Sequence, residues 1–240
     1  MVKIFLKHIV LMTWVIFAWA IPTFANFEIP PVLKDWPFRA GEILRFQVKW
    51  NGLPVGRTEL IFWGLVNYQG EQVYKITSEG KTIKYEGIDT IYVDTDTFSP
   101  IEVQRDLTYM GKKEKIREYY DHQKNEVTIR KTIGDQVIEK VFKKDHSITN
   151  SIILYYLVRL QDLSDSKRFL VTLPTKEYIF QVKEGKKIAN QKTWIYRSEP
   201  RGIRIWMSQK WSHIPLKMVF TKPFSVVTMI FQEVEYMDLK

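Results

Sequence analysis

The sequence predicts a mainly β protein: a strongly curved antiparallel sheet or barrel of about a dozen strands with one main helix. Apolar and polar residues alternate with a period of two in many short stretches. Short turns rich in glycine, asparagine and aspartate separate these stretches. Helical spacing of apolar residues occurs in one place. Many short strands joined by tight turns are typical of barrels and curved sheets.

Residues 1–25 have the pattern of an export leader. Two lysines precede an apolar run from Ile9 to Ile21, and Thr23-Phe24-Ala25 supplies the small residues of a cleavage site. The run is shorter than the roughly 20 apolar residues of a transmembrane helix. We therefore expect cleavage after Ala25 and a periplasmic or secreted protein that keeps no transmembrane anchor.

The rest of the chain is expected to form an extended, proline-containing arm (residues 26–40) and a single β-rich domain (residues 41–240), because no linker-like tract interrupts it. Cysteine is absent, which excludes disulfides and thiolate metal sites. The formal charge of +9 falls to +7 without the leader. This charge permits weak attraction to anionic lipid head groups or acidic glycans, whereas nucleic acid is not expected as a partner of an exported protein.

The first predicted strand shows the alternation clearly, since every second residue from Leu44 to Trp50 is apolar and the residues between are polar. Asn51-Gly52 then begins a turn into the second strand. The predicted strands are Leu44–Trp50, Gly56–Trp63, Gln72–Glu79, Asp89–Asp94, Ile101–Tyr109, Glu114–Asp121, Glu126–Ile133, Gln136–Phe142, Arg168–Leu173, Glu177–Val182, Gln191–Arg197, Gly202–Met207, Leu216–Thr221 and Ser225–Tyr236.

The one predicted helix runs from Thr149 or Asn150 to Leu160. Its apolar residues, among them Ile153 and Leu157, recur at intervals of three and four. Asn150 or Ser151 is suited to cap the first turn. We expect this helix to lie in or across the concavity of the sheet.

Motifs that carry chemistry are weak in this chain. His122, His146 and His213 are far apart and have no neighbours with the spacing of a zinc or nucleophile site. We interpret Asp94-Thr95-Asp96 as a turn, because it lacks the glycine and later glutamate of a calcium loop. A glycan hydrolase would need two converging acids, and the sequence cannot select them from 27. No catalytic residue, metal ligand or cofactor is predicted.

Three segments resemble a family of exported bacterial proteins, DUF3108. They are Gly41–Gly56 with its Trp-Asn-Gly-Leu-Pro-Val-Gly turn, the aromatic segment Ile152–Arg159, and Ile205–Lys217 with its tryptophan and following proline. The chain departs from the family at Gln209–Trp211, where members tend to carry acidic residues. The resemblance implies an exported, mostly β fold, and it brings no established activity or catalytic residues.

Aromatic residues form the richest inventory of the domain, and two interpretations of them remain open. They fill a core, or some of them line an apolar cavity closed by the helix. Under the second interpretation the candidate ligand-binding residues on helix and strands are Trp50, Tyr155, Tyr156 and Trp206. Arg159 then anchors an anionic head group, or else pairs with an acid such as Asp162.

These observations predict an exported soluble binding protein that carries or chaperones a lipid or another apolar envelope ligand in an aromatic concavity. The alternative is a non-enzymatic interaction module that docks onto an envelope protein through strand edges or its proline-containing arm. The two functions differ in where the aromatic side chains lie. A carrier needs them around one cavity, whereas an interaction module needs only a filled core and exposed edges.

Overall fold

The computed structural model describes residues 36–160, 167–210 and 213–238. The predicted leader and residues 26–35 of the arm lie outside these ranges, as do Asp162 and Trp211. The described residues form one antiparallel sheet of fourteen strands and one short helix. None of the helical structure in the described ranges is long and apolar enough to span a membrane.

The stretches predicted as strands from their alternation are strands, although β2 and β10 extend well beyond their predicted ends. The elements are β1 Glu42–Trp50, β2 Leu53–Tyr68, β3 Glu71–Thr82, β4 Tyr85–Val93, β5 Pro100–Tyr109, β6 Lys112–Asp121, β7 Glu126–Ile133, β8 Gln136–Lys143, α1 Leu154–Leu157, β9 Arg168–Leu173, β10 Lys176–Ile188, β11 Gln191–Glu199, β12 Ile203–Ser208, β13 Pro215–Lys222 and β14 Ser225–Tyr236.

Neighbouring strands in the sheet are neighbours in the chain, with one exception at the centre. The first strand, β1, pairs on one side with β2 and on the other with β14, the last strand. The order across the sheet therefore runs from β8 back to β1 and then from β14 back to β9. The two halves of the chain meet at β1, and the edges of the sheet are β8 and β9.

The sheet must curl strongly, because residues from distant strands share one hydrophobic core. Ile91 of β4 and Phe169 of β9 belong to the same cluster of buried residues. These strands lie nine places apart in the sheet order, which would separate them by about 40 Å if the sheet were flat. The concave face therefore encloses the core, and the predicted curved antiparallel sheet is confirmed.

The segment between β8 and α1 joins the two edges. The backbone N–H of Thr149 donates to the carbonyl of Thr172 at 2.8 Å, beside a parallel bridge between Ile148 and Thr172 on β9. On its other side Ile148 is buried against Val127 and Ile129 of β7. This segment gives the open sheet a barrel-like closure.

The predicted helix of residues 149–160 is wrong in its length, since α1 is a single turn. At its ends the backbone hydrogen bonds span three residues, as in a 3₁₀-helix: the N–H of Tyr155 donates to Ile152 and that of Arg159 donates to Tyr156. Every residue from Ile152 to Arg159 is buried. The segment passes through the interior, so it has no solvent-facing side and its conformation follows the surrounding packing.

Aromatic side chains close one end of the barrel, which we call the capped end. Trp36 and Phe38, from the arm, meet Phe98 of the β4–β5 turn, with Trp36 and Phe98 centroids 5.0 Å apart and edge to face. Phe38 also contacts Phe62 of β2 at 5.0 Å. The described part of the arm thus packs against the body of the domain.

A second, smaller cluster lies on the convex face. It contains Ile195, Trp206 and Val219, which alternate with residues of the main core along their strands. The Trp206 ring is only 7% exposed. Arg204 and Lys217 lie over it at 5.8 and 5.5 Å, so aliphatic stems and cation–π contacts cover the indole.

Replacing the buried indole should destabilise the domain strongly. We expect Trp206→Ala to lower the free energy of unfolding by about 3–5 kcal/mol, because the cluster cannot refill the space. Trp50→Ala, at a half-exposed tryptophan, is the matched control and should cost about 0.5 kcal/mol. Urea unfolding of both variants measures the difference, and equal costs would show that the convex cluster contributes no packing energy.

Candidate functional site

The structure does not bring the four predicted aromatic residues to one cavity. Tyr155 and Tyr156 are buried in the main core, and the Tyr156 hydroxyl has no hydrogen-bond partner among the described residues. Trp50 shares the concave face of β1 but is half exposed at the strand end. Trp206 lies on the convex face. These residues therefore occupy three separate environments, and the first interpretation, core packing, describes Tyr155 and Tyr156.

Arg159 forms an ion pair with a buried acid at the start of β1. Its guanidinium donates to both carboxylate oxygens of Glu42, at 2.5 and 2.9 Å, and to the carbonyl of Pro37 at 2.8 Å. Both side chains of the ion pair are fully buried. A bidentate pair of this kind holds its geometry tightly. Of the two roles left open by the sequence, the structure shows pairing with an acid, which is Glu42.

A polar cluster lies on the concave face of β4, β5 and β6. Arg105 donates to Asp89 at 2.5 Å and lies 3.9 Å from Glu118. The Glu118 carboxylate also accepts from the Tyr120 hydroxyl at 2.6 Å and from the Asn150 amide at 3.0 Å. One cation thus faces two carboxylates. The acids and Asn150 are buried, whereas part of Arg105 remains accessible.

Further polar groups continue this polar cluster across the concave face. Lys131 of β7 is buried and pairs with Glu114 of β6 at 2.6 Å. Tyr85 lies across β4 because Gly87 leaves it room: a Cβ at Gly87 would come within 2.7 Å of the Tyr85 hydroxyl and 2.9 Å of Leu107. Glycine at this position lets the Tyr85 ring lie flat over β4 within the concave face.

Burial governs the protonation of the polar cluster. Burial raises the pKa of Asp89, and Arg105 opposes that rise. Burial raises the pKa of the Tyr120 hydroxyl well above its ordinary value, and Glu118 adds to the effect. Burial lowers the pKa of Arg105, but the carboxylates outweigh it and the net pKa is raised. The cluster therefore presents a fixed cation and a neutral phenol beside an acid that resists ionisation.

The concave face is only half covered beyond the polar cluster. Towards the end that carries the turns at residues 51–52, 83–84, 110–111, 134–135 and 223–224, here called the distal end, its apolar residues are intermediate in exposure. They are Val48, Tyr85, Leu107, Ile116, Ile133 and Phe231. Hydrogen-bonding groups next to partly exposed apolar side chains are what a site for an amphipathic molecule requires.

A groove of about 910 Å³ crosses the convex face of β1, β2 and β3. Arg45, at the centre of this lining, is already paired: it contacts Glu59 at 3.1 Å, Glu233 at 3.0 Å, and Glu235. Because these side chains are solvated and mutually satisfied, the groove offers little binding energy to a ligand. We therefore place the candidate site at the polar cluster.

Two features named in the sequence analysis have structural explanations. The carboxylate of Asp94 accepts hydrogen bonds from the backbone of Asp96 and Thr97, so the turn interpretation is confirmed. Ser147 lies 3.3 Å from Nδ1 of His122, whose Nε2 is 2.6 Å from the Pro100 carbonyl. The sequence did not predict this contact. The described residues contain no group of three acids or histidines placed to hold a metal ion.

The polar cluster was missed by sequence reasoning, although a signal for it exists. In β5 the inward positions are Val103, Arg105 and Leu107, so a charged residue replaces an apolar one in the alternating pattern. Glu118 breaks the inward pattern of β6 in the same way. A charge at an inward position of two adjacent strands predicts a buried pair, provided that the pairing of those strands is known.

The comparisons with known proteins support a family. The model of the family of proteins of unknown function DUF3108 matches residues 45–232. A crystal structure of a beta-barrel-like protein of domain of unknown function DUF1849 from Brucella abortus is similar, with a TM-score of 0.48 and 9% identity. The similarity covers 82% of this chain and 98% of that chain. No curated protein matches the chain.

Removing one partner of the buried ion pair should be far more harmful than removing both. Glu42→Gln leaves the guanidinium of Arg159 buried without its counter-charge, so we expect a loss of about 3–5 kcal/mol in unfolding free energy. The double variant Glu42→Leu with Arg159→Met should recover most of that loss. Glu86→Gln, at the exposed pair with Lys81, is the control and should cost about 1 kcal/mol or less. A double variant that loses as much unfolding free energy as Glu42→Gln, or more, would contradict the coupling.

Stability should also depend on pH through His213. Burial holds the pKa of His213 below its usual 6.5, and its Nδ1 lies 3.3 Å from the Arg159 carbonyl. The folded state then binds fewer protons than the unfolded state. The contribution of the neutral His213 side chain to the free energy of unfolding is therefore complete above a pH of about 6.5 and is lost as the pH falls. The urea midpoint should therefore drop between about pH 7 and about pH 5, and drop less in His213→Asn. Equal drops in both proteins would count against this role.

Proposed function

Because the chain belongs to the DUF3108 family, whose function is unknown, we propose its function from its interior chemistry: it is an exported binding protein for a lipid or another amphipathic envelope ligand. The ligand's polar group lies at the polar cluster of Asp89, Arg105 and Glu118. Its apolar part lies along the half-covered concave face towards the distal end. This is a binding function, and no bond-making step is part of it.

The observation that carries the proposal is the juxtaposition of buried polar groups and partly exposed apolar ones on the same concave face. Asp89 and Glu118 are buried, although acidic side chains usually lie at the protein surface, where water solvates them. Burying two carboxylates beside one guanidinium costs stability unless other interactions compensate. The partly exposed Leu107 and Ile116 lie on the same face as these acids. A bound amphipathic molecule would satisfy both kinds of surface at once.

The charges of the polar cluster favour a particular head group. Arg105 is shared by two acids, so the cluster has two carboxyl groups to one cation. The Tyr120 hydroxyl and the Asn150 amide already donate to Glu118. A head group that donates hydrogen bonds, such as a hydroxyl-bearing or amine-bearing one, fits this excess of acceptors better than a bare phosphate.

Native mass spectrometry of the protein, isolated gently from the envelope fraction of its own cells, tests the proposal. We expect an adduct that denaturation releases as a lipid-like molecule. The mass of the polypeptide should correspond to residues 26–240, which tests export and cleavage after Ala25. Arg105→Gln should lower ligand occupancy by about tenfold, because the two acids that accept from the head group lose the guanidinium that holds them in place.

Arg130→Gln is the matched control, because it makes the same change at an exposed ion pair with Glu139. Its occupancy should equal that of the natural chain. An empty protein would contradict ligand binding and favour the alternative of an interaction module, particularly if another protein is retained. A ligand whose occupancy is unchanged in Arg105→Gln would show that the site lies elsewhere. A polypeptide that keeps residues 1–25 would contradict cleavage of the leader.

A further inference from the structure

Large apolar side chains stand exposed on four turns of the distal end. They are Phe224 (82% exposed), Ile83 (84%), Leu53 (70%) and Met110 (56%). Single exposed apolar residues are ordinary at protein surfaces. Four of them on adjacent turns at one end of a sheet are not ordinary, because clustered apolar exposure marks an interaction surface.

The four turns form one continuous row. The backbone N–H of Asn51 donates to Val226 at 2.8 Å, and the Asn51 side chain accepts from the N–H of Val226 at 2.8 Å. These bonds join the β13–β14 turn to the β1–β2 turn. The N–H of Ile83 donates to Val55 at 3.3 Å and that of Met110 to Lys84 at 2.9 Å. The apolar side chains are therefore held side by side on hydrogen-bonded hairpins.

The charge of this row is entirely positive. The segments 49–54, 81–85, 109–113 and 221–225 contain six lysines and no aspartate or glutamate. One of these lysines, Lys81, pairs with Glu86 outside the segments. The half-exposed indole of Trp50 adds an aromatic group at the same end. Interleaved lysines and apolar or aromatic side chains are typical of segments that insert into the interface of an anionic membrane.

We propose that this row, the distal edge, docks the protein onto an anionic lipid surface. Phe224, Ile83, Leu53 and Met110 enter the boundary between head groups and acyl chains, and the lysines contact the anionic head groups. The partly exposed apolar residues of the half-covered concave face lie towards this same end, so docking would bring them close to the lipid. The placement of the concave face against the lipid rests on the proposed function, whereas docking itself does not.

Flotation with unilamellar vesicles tests the docking, with the chain as isolated from its own cells. Vesicles of equal parts phosphatidylethanolamine and phosphatidylglycerol should bind the protein, and pure phosphatidylcholine should bind it much less. Added salt should weaken the binding, because it screens the lysines. Phe224→Ser with Ile83→Ser should lower the partition coefficient by at least about tenfold, because two large apolar side chains no longer enter the lipid.

The matched control is Val137→Ser with Val141→Ser, which removes two exposed apolar side chains from the edge strand β8. It should float like the natural chain, and circular dichroism should show all three proteins folded. Absence of flotation with the anionic vesicles overturns the proposal, as does equal loss in both double variants. A dimer that only the Phe224 and Ile83 variant dissociates, without vesicle binding, also overturns it in favour of a second copy. Vesicle binding by a protein whose mass spectrum shows no ligand supports docking and separates it from the proposed function.

Discussion

The ion pair between Glu42 and Arg159 ties together the parts of the chain on which the interior depends. Glu42 begins β1, the strand at which the two halves of the sheet meet. Arg159 ends the buried segment that crosses the interior, and it also donates to the carbonyl of Pro37 in the arm. Its guanidinium lies 4.9 Å from the Phe38 ring. Since neither charge has access to water, each is tolerated only because the other is present.

This arrangement divides the interior into two regions with different chemistry. Tyr156 faces the capped end, where its ring lies 5.0 Å from that of Phe38. Tyr155, its neighbour in the chain, reaches towards Met229 of β14, and burial together with the charge of Asp89 raises the pKa of its hydroxyl. These adjacent residues of one helical turn therefore have different surroundings. Tyr156 packs in the aromatic core, and Tyr155 lies close enough to the polar cluster for the charge of Asp89 to act on it.

The distal edge lies at one end of the domain and the packed aromatic residues lie at the other, with the polar cluster between them on β4, β5 and β6. Trp36, Phe38 and Phe98 pack against one another at the capped end with edge-to-face and tilted aromatic contacts. At the distal end the concave face is half covered and the turns carry exposed apolar groups. The asymmetry of packing between the two ends is therefore the physical basis of both proposals.

Alternation of apolar and polar residues was enough to predict the strands, because side chains on a half-buried strand must point to opposite faces whatever its neighbours are. Alternation does not show which face of a strand lies on the concave side of the sheet. For that reason Trp206, a good candidate for a cavity by its residue type, lies under Arg204 and Lys217 on the convex face.

The sequence alone determined the order and approximate ends of the strands, the positions of the turns and the family resemblance. The tertiary structure decided the partner of Arg159, which is 117 residues away in the chain, and the meeting of Asp89, Arg105 and Glu118 from three strands. It also shortened the helix to one turn. Local patterns report the periodicity of one segment, whereas ion pairs and clusters depend on which strands become neighbours when the sheet closes.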